Sequence, residues 1–350
     1  MWRTLGQAPA VEALQRALTS GRAAHAYLFA GPAGMGKATA ARDFAAALNC
    51  EATSKPCGEC RSCRDTYAGR HPDVELVAPG GLCDDPDHRD HAESRDLRIC
   101  QIRRLERVLS LTPYGGGRRV AIIDAADTLH VEAANAFLKT LEEPPDGTVI
   151  VLLVEREERL PETVRSRCQR VVFRRVRRET IEEALVAAGA APDQAETIAA
   201  AAAGRLGWAR RALGDASLVT ERSQMLDVAL RVAHGGRLER FGWAAEAGGR
   251  NESGGRSAEV RDRYFRELDV WESWWRDVLA AGAGAAGGFV NQERERELRA
   301  EGKIYDAGAI VTFLRSLMAT REHLYANVDP QLALENLMLD LPHAAAGGRA

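Results

Sequence analysis

Residues 27–39, Tyr-Leu-Phe-Ala-Gly-Pro-Ala-Gly-Met-Gly-Lys-Ala-Thr, run from an apolar segment through a glycine-rich turn into a helix-forming segment. That order predicts a strand, a phosphate-binding loop and a helix. Such a loop needs small residues so that backbone N–H groups can close around phosphate oxygens, a lysine for the terminal phosphates, and a hydroxyl for magnesium. Gly31, Gly34, Gly36 and Lys37 supply the first two requirements. The hydroxyl position is Ala38, and Thr39 falls one residue late, about 100° further around the helix. The spacing predicts nucleotide-binding ancestry, against the plainer alternative of a strand-to-helix turn that binds nothing. ATP is the cofactor such a loop would take. Loss of the magnesium ligand weakens hydrolysis before it weakens phosphate binding, because Lys37 and the backbone donors remain.

A chain of 350 residues is long enough for two or three domains with their own cores. Forty-seven basic against fifty acidic residues give a formal charge of −3, so any nucleic-acid contact must come from a local patch. No apolar run approaches the ~18–20 residues that span a bilayer, and residues 1–6 lack a signal-peptide core, so a cytoplasmic protein without a membrane partner is expected. Seven cysteines, an odd and clustered set, do not make a secreted disulfide scaffold.

Four of them follow the helix expected over residues 37–49. Cys50, Cys57, Cys60 and Cys63 have metal-ligand spacing: the two-residue gaps let neighbouring thiolates turn back onto one Zn²⁺, and Gly58 eases the bend. Four thiols within fourteen positions favour zinc over buried or disulfide-bonded cysteines. Four protein ligands leave no vacancy, so the zinc is expected to be structural. Further on, Cys83, His88 and His91 lie in a stretch rich in Asp and Pro without periodicity, which reads as a solvated loop rather than a second metal site.

Before the loop, Val11, Leu14 and Leu18 share a helix face. Residues 97–111 predict an amphipathic helix, with Ile102, Leu105 and Leu109 inward and Arg103, Arg104 and Arg107 outward, a wet face in preference to a phosphate contact. Residues 118–124 read as a buried strand ending in Asp124, the acid that orients magnesium and water in P-loop proteins. Ala125 stands where an ATPase would place its catalytic glutamate. A helix over 131–143, closed by Pro144-Pro145, and a strand over 149–154 complete a strand–helix alternation that predicts a parallel sheet.

Residues 132–145, Glu-Ala-Ala-Asn-Ala-Phe-Leu-Lys-Thr-Leu-Glu-Glu-Pro-Pro, together with Leu160-Pro161, residues 164–168 (Val-Arg-Ser-Arg-Cys), the four cysteines and residues 68–73 (Ala-Gly-Arg-His-Pro-Asp), resemble the bacterial clamp-loader subunits of DNA polymerase III. The close match covers about the first half of the chain. The departures at Ala38, Ala125 and Glu155 resemble the delta-prime type rather than the gamma/tau motor. The resemblance implies an α/β AAA+ P-loop domain over residues 1–175 with a zinc module at 50–63, a helical lid over 176–215, and an all-α collar over 216–350. It also implies a cytoplasmic, replisome-associated subunit of the DNA polymerase III holoenzyme. Such a subunit joins gamma/tau and delta subunits in a ring, through which it meets the sliding clamp and primer-template DNA, and it hydrolyses no ATP itself. In Ser166-Arg167-Cys168 it implies an arginine that completes a neighbour's ATP site; on its own, Arg167 reads as an ordinary ion-pairing residue. Two alternatives stand beside this one, an active gamma/tau-like ATPase and a zinc-dependent nucleic-acid-binding protein with an unused P-loop.

The second half is alanine-rich and helical. Residues 174–178 form a basic connector, and 179–213 predict short helices broken at Gly189, Gly204 and Gly207. Gly207 stands where the family would place a nucleotide-sensing arginine, with Arg210 and Arg211 nearby. Trp271, Trp274 and Trp275 form a stripe that reads as core rather than as a base-stacking surface. Residues 248–255 read as a glycine-rich insertion and 282–288 as a flexible interruption. Asp329 and Pro330 open a last helix whose Leu334, Leu337, Met338 and Leu341 share a face.

Overall fold

The computed structural model describes residues 1–83, 85, 91, 94, 96–114, 117–249, 258–326 and 328–344; His88 and most of the 248–255 insertion lie outside them. The chain divides into two compact units, Met1–Ala184 with Gly204–Trp208, and Leu185–Ala203 with Ala209–Ala350. No helix among the described residues is long and apolar enough to cross a membrane.

The first unit runs α1 (Ala8–Thr19), β1 (Ala26–Ala30), α2 (Lys37–Leu48), α3 (Arg61–Tyr67), β2 (Val74–Val77), α4 (Ile99–Leu109), β3 (Arg119–Ile123), α5 (Val131–Glu142), β4 (Thr148–Val154), α6 (Glu162–Arg165) and β5 (Gln169–Val172). The strands form one sheet in the order β2-β3-β4-β1-β5, every pair parallel. A parallel sheet is covered on both faces, and the period-two alternation of its strands sorts residues between two cores. Ala26, Leu28 and Ala30 of β1, Ala121 and Ile123 of β3, and Ile150, Leu152 and Val154 of β4 pack with Ile102 and Leu105 of α4 and Phe137 of α5. Their neighbours Tyr27, Phe29, Val120, Ile122, Val149, Val151 and Leu153 pack with Leu14 of α1 and Phe44 of α2 on the other face. The sheet's central register, Leu28 opposite Leu152 and Arg170, brings the C-terminal ends of β1, β4 and β5 together.

Two buried polar networks hold the pieces that carry motifs. Asp43, fully buried in α2, accepts hydrogen bonds from the Arg3 N–H (2.9 Å), the Thr4 N–H (2.9 Å), Thr4 Oγ1 (2.7 Å) and the Tyr67 hydroxyl (2.8 Å). A carboxylate out of water needs such donors, and these tie the N-terminal segment and α3 to α2. Asp73 pairs with Arg119 at 3.2 Å and accepts from the Tyr114 N–H. His71 accepts from the Asp73 N–H and meets Ser62 Oγ at 3.0 Å, and burial lowers its pKa. The His-Pro-Asp stretch is thus a structural brace between α3 and β2.

The remaining helices are α7 (Arg178–Ala187), α8 (Pro192–Ala201), α9 (Leu206–Gly214), α10 (Ser217–His234), α11 (Arg237–Gly248), α12 (Ala258–Gly282), α13 (Glu295–Glu301), α14 (Ala307–Tyr325) and α15 (Pro330–Leu339). Trp271, Trp274 and Trp275 are at most 1% exposed and form the centre of the second unit's core, with Trp275 edge-on to Phe313 at 5.7 Å. They are a core stripe with no face left for bases. Asp329 caps α15 by accepting from the Leu332 N–H at 3.2 Å, and Leu334, Leu337, Met338 and Leu341 are buried in this unit's own core.

Two expectations need correction. Gly207 does not break a helix but lies inside α9, and Arg104 is half-buried, paired with Glu75 of β2 instead of lying on a wet face. Glu75 lies in β2 itself, beside α4, a contact between distant segments that helical periodicity does not encode.

Candidate functional site

The P-loop takes its shape from glycine. Gly31, Gly34 and Gly36 all have positive φ (154°, 74° and 92°), a conformation that side chains with a Cβ resist. A Cβ on Gly31 would also stand 2.3 Å from the Phe173 carbonyl oxygen. Gly36 leads into α2, so Lys37 opens the helix, Ala38 follows and Thr39 is third. Ala38 packs against the core shared by Phe44 and Val120. A methyl group thus fills the place of the magnesium-binding hydroxyl.

Lys37 is 8% exposed and its ammonium donates to the carbonyls of the loop itself, Gly31 and, at 2.8 Å, Pro32. Burial lowers its pKa, opposed by the charges of Glu155, Asp127 and Asp124. Three acidic residues therefore lie near enough to act on the lysine's charge. Asp124 is committed locally, its Oδ1 accepting from the Ala125 N–H at 2.9 Å. Asp127, which sequence reasoning did not single out, accepts from the Arg156 N–H at 3.2 Å, and burial raises its pKa.

Ala125 adopts a left-handed φ of 51°. That conformation costs an L-residue roughly 1–2 kcal/mol, and glycine carries no such penalty. Ala125→Gly is expected to raise unfolding stability by about 0.5–1 kcal/mol, the relief less the glycine's added unfolded-state entropy. Urea denaturation checks this; a loss of stability would show that the turn carries no such strain.

The opening of α9 sits directly on the P-loop within the first unit. The Gly207 N–H donates to the Gly34 oxygen at 2.8 Å, and a Cβ on Gly207 would meet that oxygen at 3.1 Å and the Gly34 Cα at 3.2 Å. The backbone approach is what requires glycine there. Arg205, also missed from sequence, packs beside Gly34, whereas Arg210 and Arg211 are exposed.

Arg167 follows α6 and stays at the surface. Its guanidinium donates to the Thr163 carbonyl at 2.8 Å and pairs with Glu142, at the end of α5, at 2.5 Å. Its neighbour Cys168 turns inward, where burial pushes its thiol up to about 12. Both residues are half-buried: the thiol points into the core, and the guanidinium is held at the surface by its two partners.

The four cysteines converge. All four Sγ atoms lie within 4.8 Å of one another, with Cys57–Cys63 at 3.9 Å and Cys50–Cys60 at 4.0 Å. A tetrahedral metal with sulfur bonds of about 2.3 Å has edges of about 3.8 Å. Gly58, at φ 83°, turns the chain between the first two of the closely spaced thiols. The Cys60 N–H donates to Cys57 Sγ at 3.3 Å and the Cys63 N–H to Cys60 Sγ at 3.4 Å, bonds that suit thiolates. Those from Cys60 and then Glu59 lower the Cys57 thiol to about 6, while burial pushes Cys63 up to about 12. A cation must therefore displace the Cys63 proton, so binding tightens as pH rises. Chemistry and geometry both fit a closed metal centre.

Residues 6–177 match the family model described as "DNA polymerase III, delta subunit". This segment belongs to that family. The chain is 34% identical over 201 residues to DNA polymerase III subunit delta' of Bacillus subtilis, covering 57% of each protein. It is 42% identical over 161 residues to the delta' subunit of Pseudomonas aeruginosa, covering 44% of this chain and 46% of that one. It is 36% identical over 179 residues to the tau subunit of Bacillus subtilis, covering 51% of this chain and 29% of that protein. The chain thus spans about half the length of its delta' relatives. The α/β class, the parallel sheet and the P-loop placement are as the AAA+ clamp-loader resemblance implied, and the sheet has five strands.

Proposed function

We propose that the whole chain acts as the delta-prime-type subunit of a DNA polymerase III clamp loader, a non-hydrolysing member of a ring with gamma/tau and delta subunits that places a sliding clamp on primer-template DNA. The observation that carries this reading is the contrast between two sites in one unit. The chain's own nucleotide site has a methyl group at the magnesium position, alanine at the catalytic-base position, and a buried lysine bonded to its own loop. Arg167, in contrast, keeps a guanidinium at the surface, held on its turn by the Thr163 carbonyl and Glu142.

A γ-phosphoryl transition state spreads negative charge over equatorial oxygens, and a guanidinium delivered from an adjacent subunit neutralises it. Arg167 is the residue assigned to that role in trans. Gly31, Gly34, Gly36 and Lys37 retain backbone and charge for a phosphate, but the hydroxyl and glutamate positions hold Ala38 and Ala125, so ATP bound there would not turn over. Cys50, Cys57, Cys60 and Cys63 hold a structural Zn²⁺ in this reading. Residues 1–175, 176–215 and 216–350 are assigned as AAA+ domain, lid and collar, with cytoplasmic, replisome-associated action.

The isolated chain is expected to show no ATP turnover above that of Lys37→Ala. Steady-state phosphate release checks this; turnover abolished by Lys37→Ala would replace the reading with a gamma/tau-like ATPase.

A further inference from the structure

Cys83, His91 and Cys100 are separated by seven and eight residues, yet their Sγ and ring-nitrogen atoms all lie within 4.8 Å of one another. His91 Nε2 is 3.1 Å from Cys100 Sγ. The expectation of a plain solvated loop does not hold for these residues, because the third member comes from a different element: Cys100 is the second residue of α4, and sequence spacing gave no reason to join it to the loop. We propose that Cys83, His91 and Cys100 form a second metal site, for a zinc-class divalent ion, distinct from the four-cysteine centre.

The placement is built from buried structure and does not rest on the side chains alone. Gln101, next to Cys100 and 1% exposed, donates to the carbonyls of Ala78 (3.0 Å) and Gly81 (3.2 Å), fixing the segment that leads into Cys83 against the start of α4. The same side chain accepts from the Arg98 N–H at 3.0 Å. On the His91 side, the Ser94 N–H donates to the His91 carbonyl, Ser94 Oγ donates to the Asp96 carbonyl at 2.9 Å, and Leu97 is buried and bridged to Leu129. Both arms of the loop are therefore anchored where they bring their ligands to Cys100.

The donor set selects the ion. Two thiolates and one imidazole are soft to borderline, which excludes calcium and magnesium and suits zinc at bonds of about 2.3 Å to sulfur and 2.0–2.1 Å to nitrogen. The ion would close the loop on α4, and it takes its fourth donor from water or another side chain.

The test uses the full chain, purified reduced and without oxygen, supplied with a small excess of Zn²⁺ and then desalted. Elemental analysis and native mass spectrometry are compared for wild type, Cys83→Ser/Cys100→Ser and His91→Ala. Binding to the four-cysteine centre serves as an internal control for folding. The double variant is expected to lose one zinc per chain relative to wild type, two falling to one, with unchanged circular dichroism. His91→Ala is expected to lose the same ion on desalting. A fall from one zinc to none in the double variant would support this site while refuting the four-cysteine centre. Equal zinc in wild type and double variant, or a Cys83–Cys100 disulfide trapped by alkylation in fresh extracts, would overturn the proposal.

Discussion

Arg167→Ala is expected to lower ATP turnover at the one neighbouring site it completes by about 10³-fold or more, while the chain still folds and assembles. The two halves of that expectation rest on different observations. Among the described residues, Arg167 bonds to the Thr163 carbonyl and to an exposed Glu142, and such surface pairs contribute roughly 0–1 kcal/mol, so the fold loses little. The transition state loses a forked cation that the neighbouring arginines are not placed to replace, because Arg165 ends α6 and Arg170 lies in β5, paired with Glu157. Arg167→Lys is expected to recover only a small part of the rate, since a point charge lacks the planar fork. Single-turnover hydrolysis by the reconstituted assembly reads both variants. Wild-type turnover by an assembly containing Arg167→Ala would remove this residue from the chemistry.

Removal of metal from the four-cysteine centre is expected to unfold residues 50–67 and leave the parallel sheet standing. Structural zinc contributes apparent binding energies of about 10–16 kcal/mol in small zinc modules. Besides the sulfurs, the segment is held by the Ser62–His71 contact and two further anchors. Cys50, Cys63 and Ala46 form a small buried cluster, and Tyr67 reaches Asp43 at 2.8 Å. The sheet, by contrast, is packed on both faces by two cores that include none of the four sulfurs. Hydrogen exchange before and after chelation, under reducing conditions, separates the two responses. Amides in α3 are expected to lose protection by several orders of magnitude, with β1 and β4 unchanged. Full protection of α3 in protein verified to be metal-free would show that the module stands without an ion.

Where the sequence was legible, short-range patterns carried the information. The alternation of β1, β3 and β4, the P-loop glycines and the Asp329-Pro330 helix start are local, and each appears within a residue or two of its expected place. The four-cysteine centre was legible because its spacing is itself a constraint on geometry. What the sequence hid depends on contacts between distant segments. Gly207 reads as a helix breaker until the chain folds back and places it on Gly34. Arg104 reads as solvated until β2 supplies Glu75, and nothing in the spacing joins Cys100 to Cys83 until Gln101 binds the Ala78 and Gly81 carbonyls. Asp127 escaped because its proximity to Lys37 depends on the turn after β3, which carries a left-handed alanine where no glycine marks it.

The most direct test is ATP hydrolysis by the cognate motor and delta subunits, stimulated by the sliding clamp and primed DNA, measured with and without this chain. The account predicts that adding the chain restores turnover while the chain alone has none. Turnover that is indifferent to its presence, or hydrolysis by the chain alone, would contradict it.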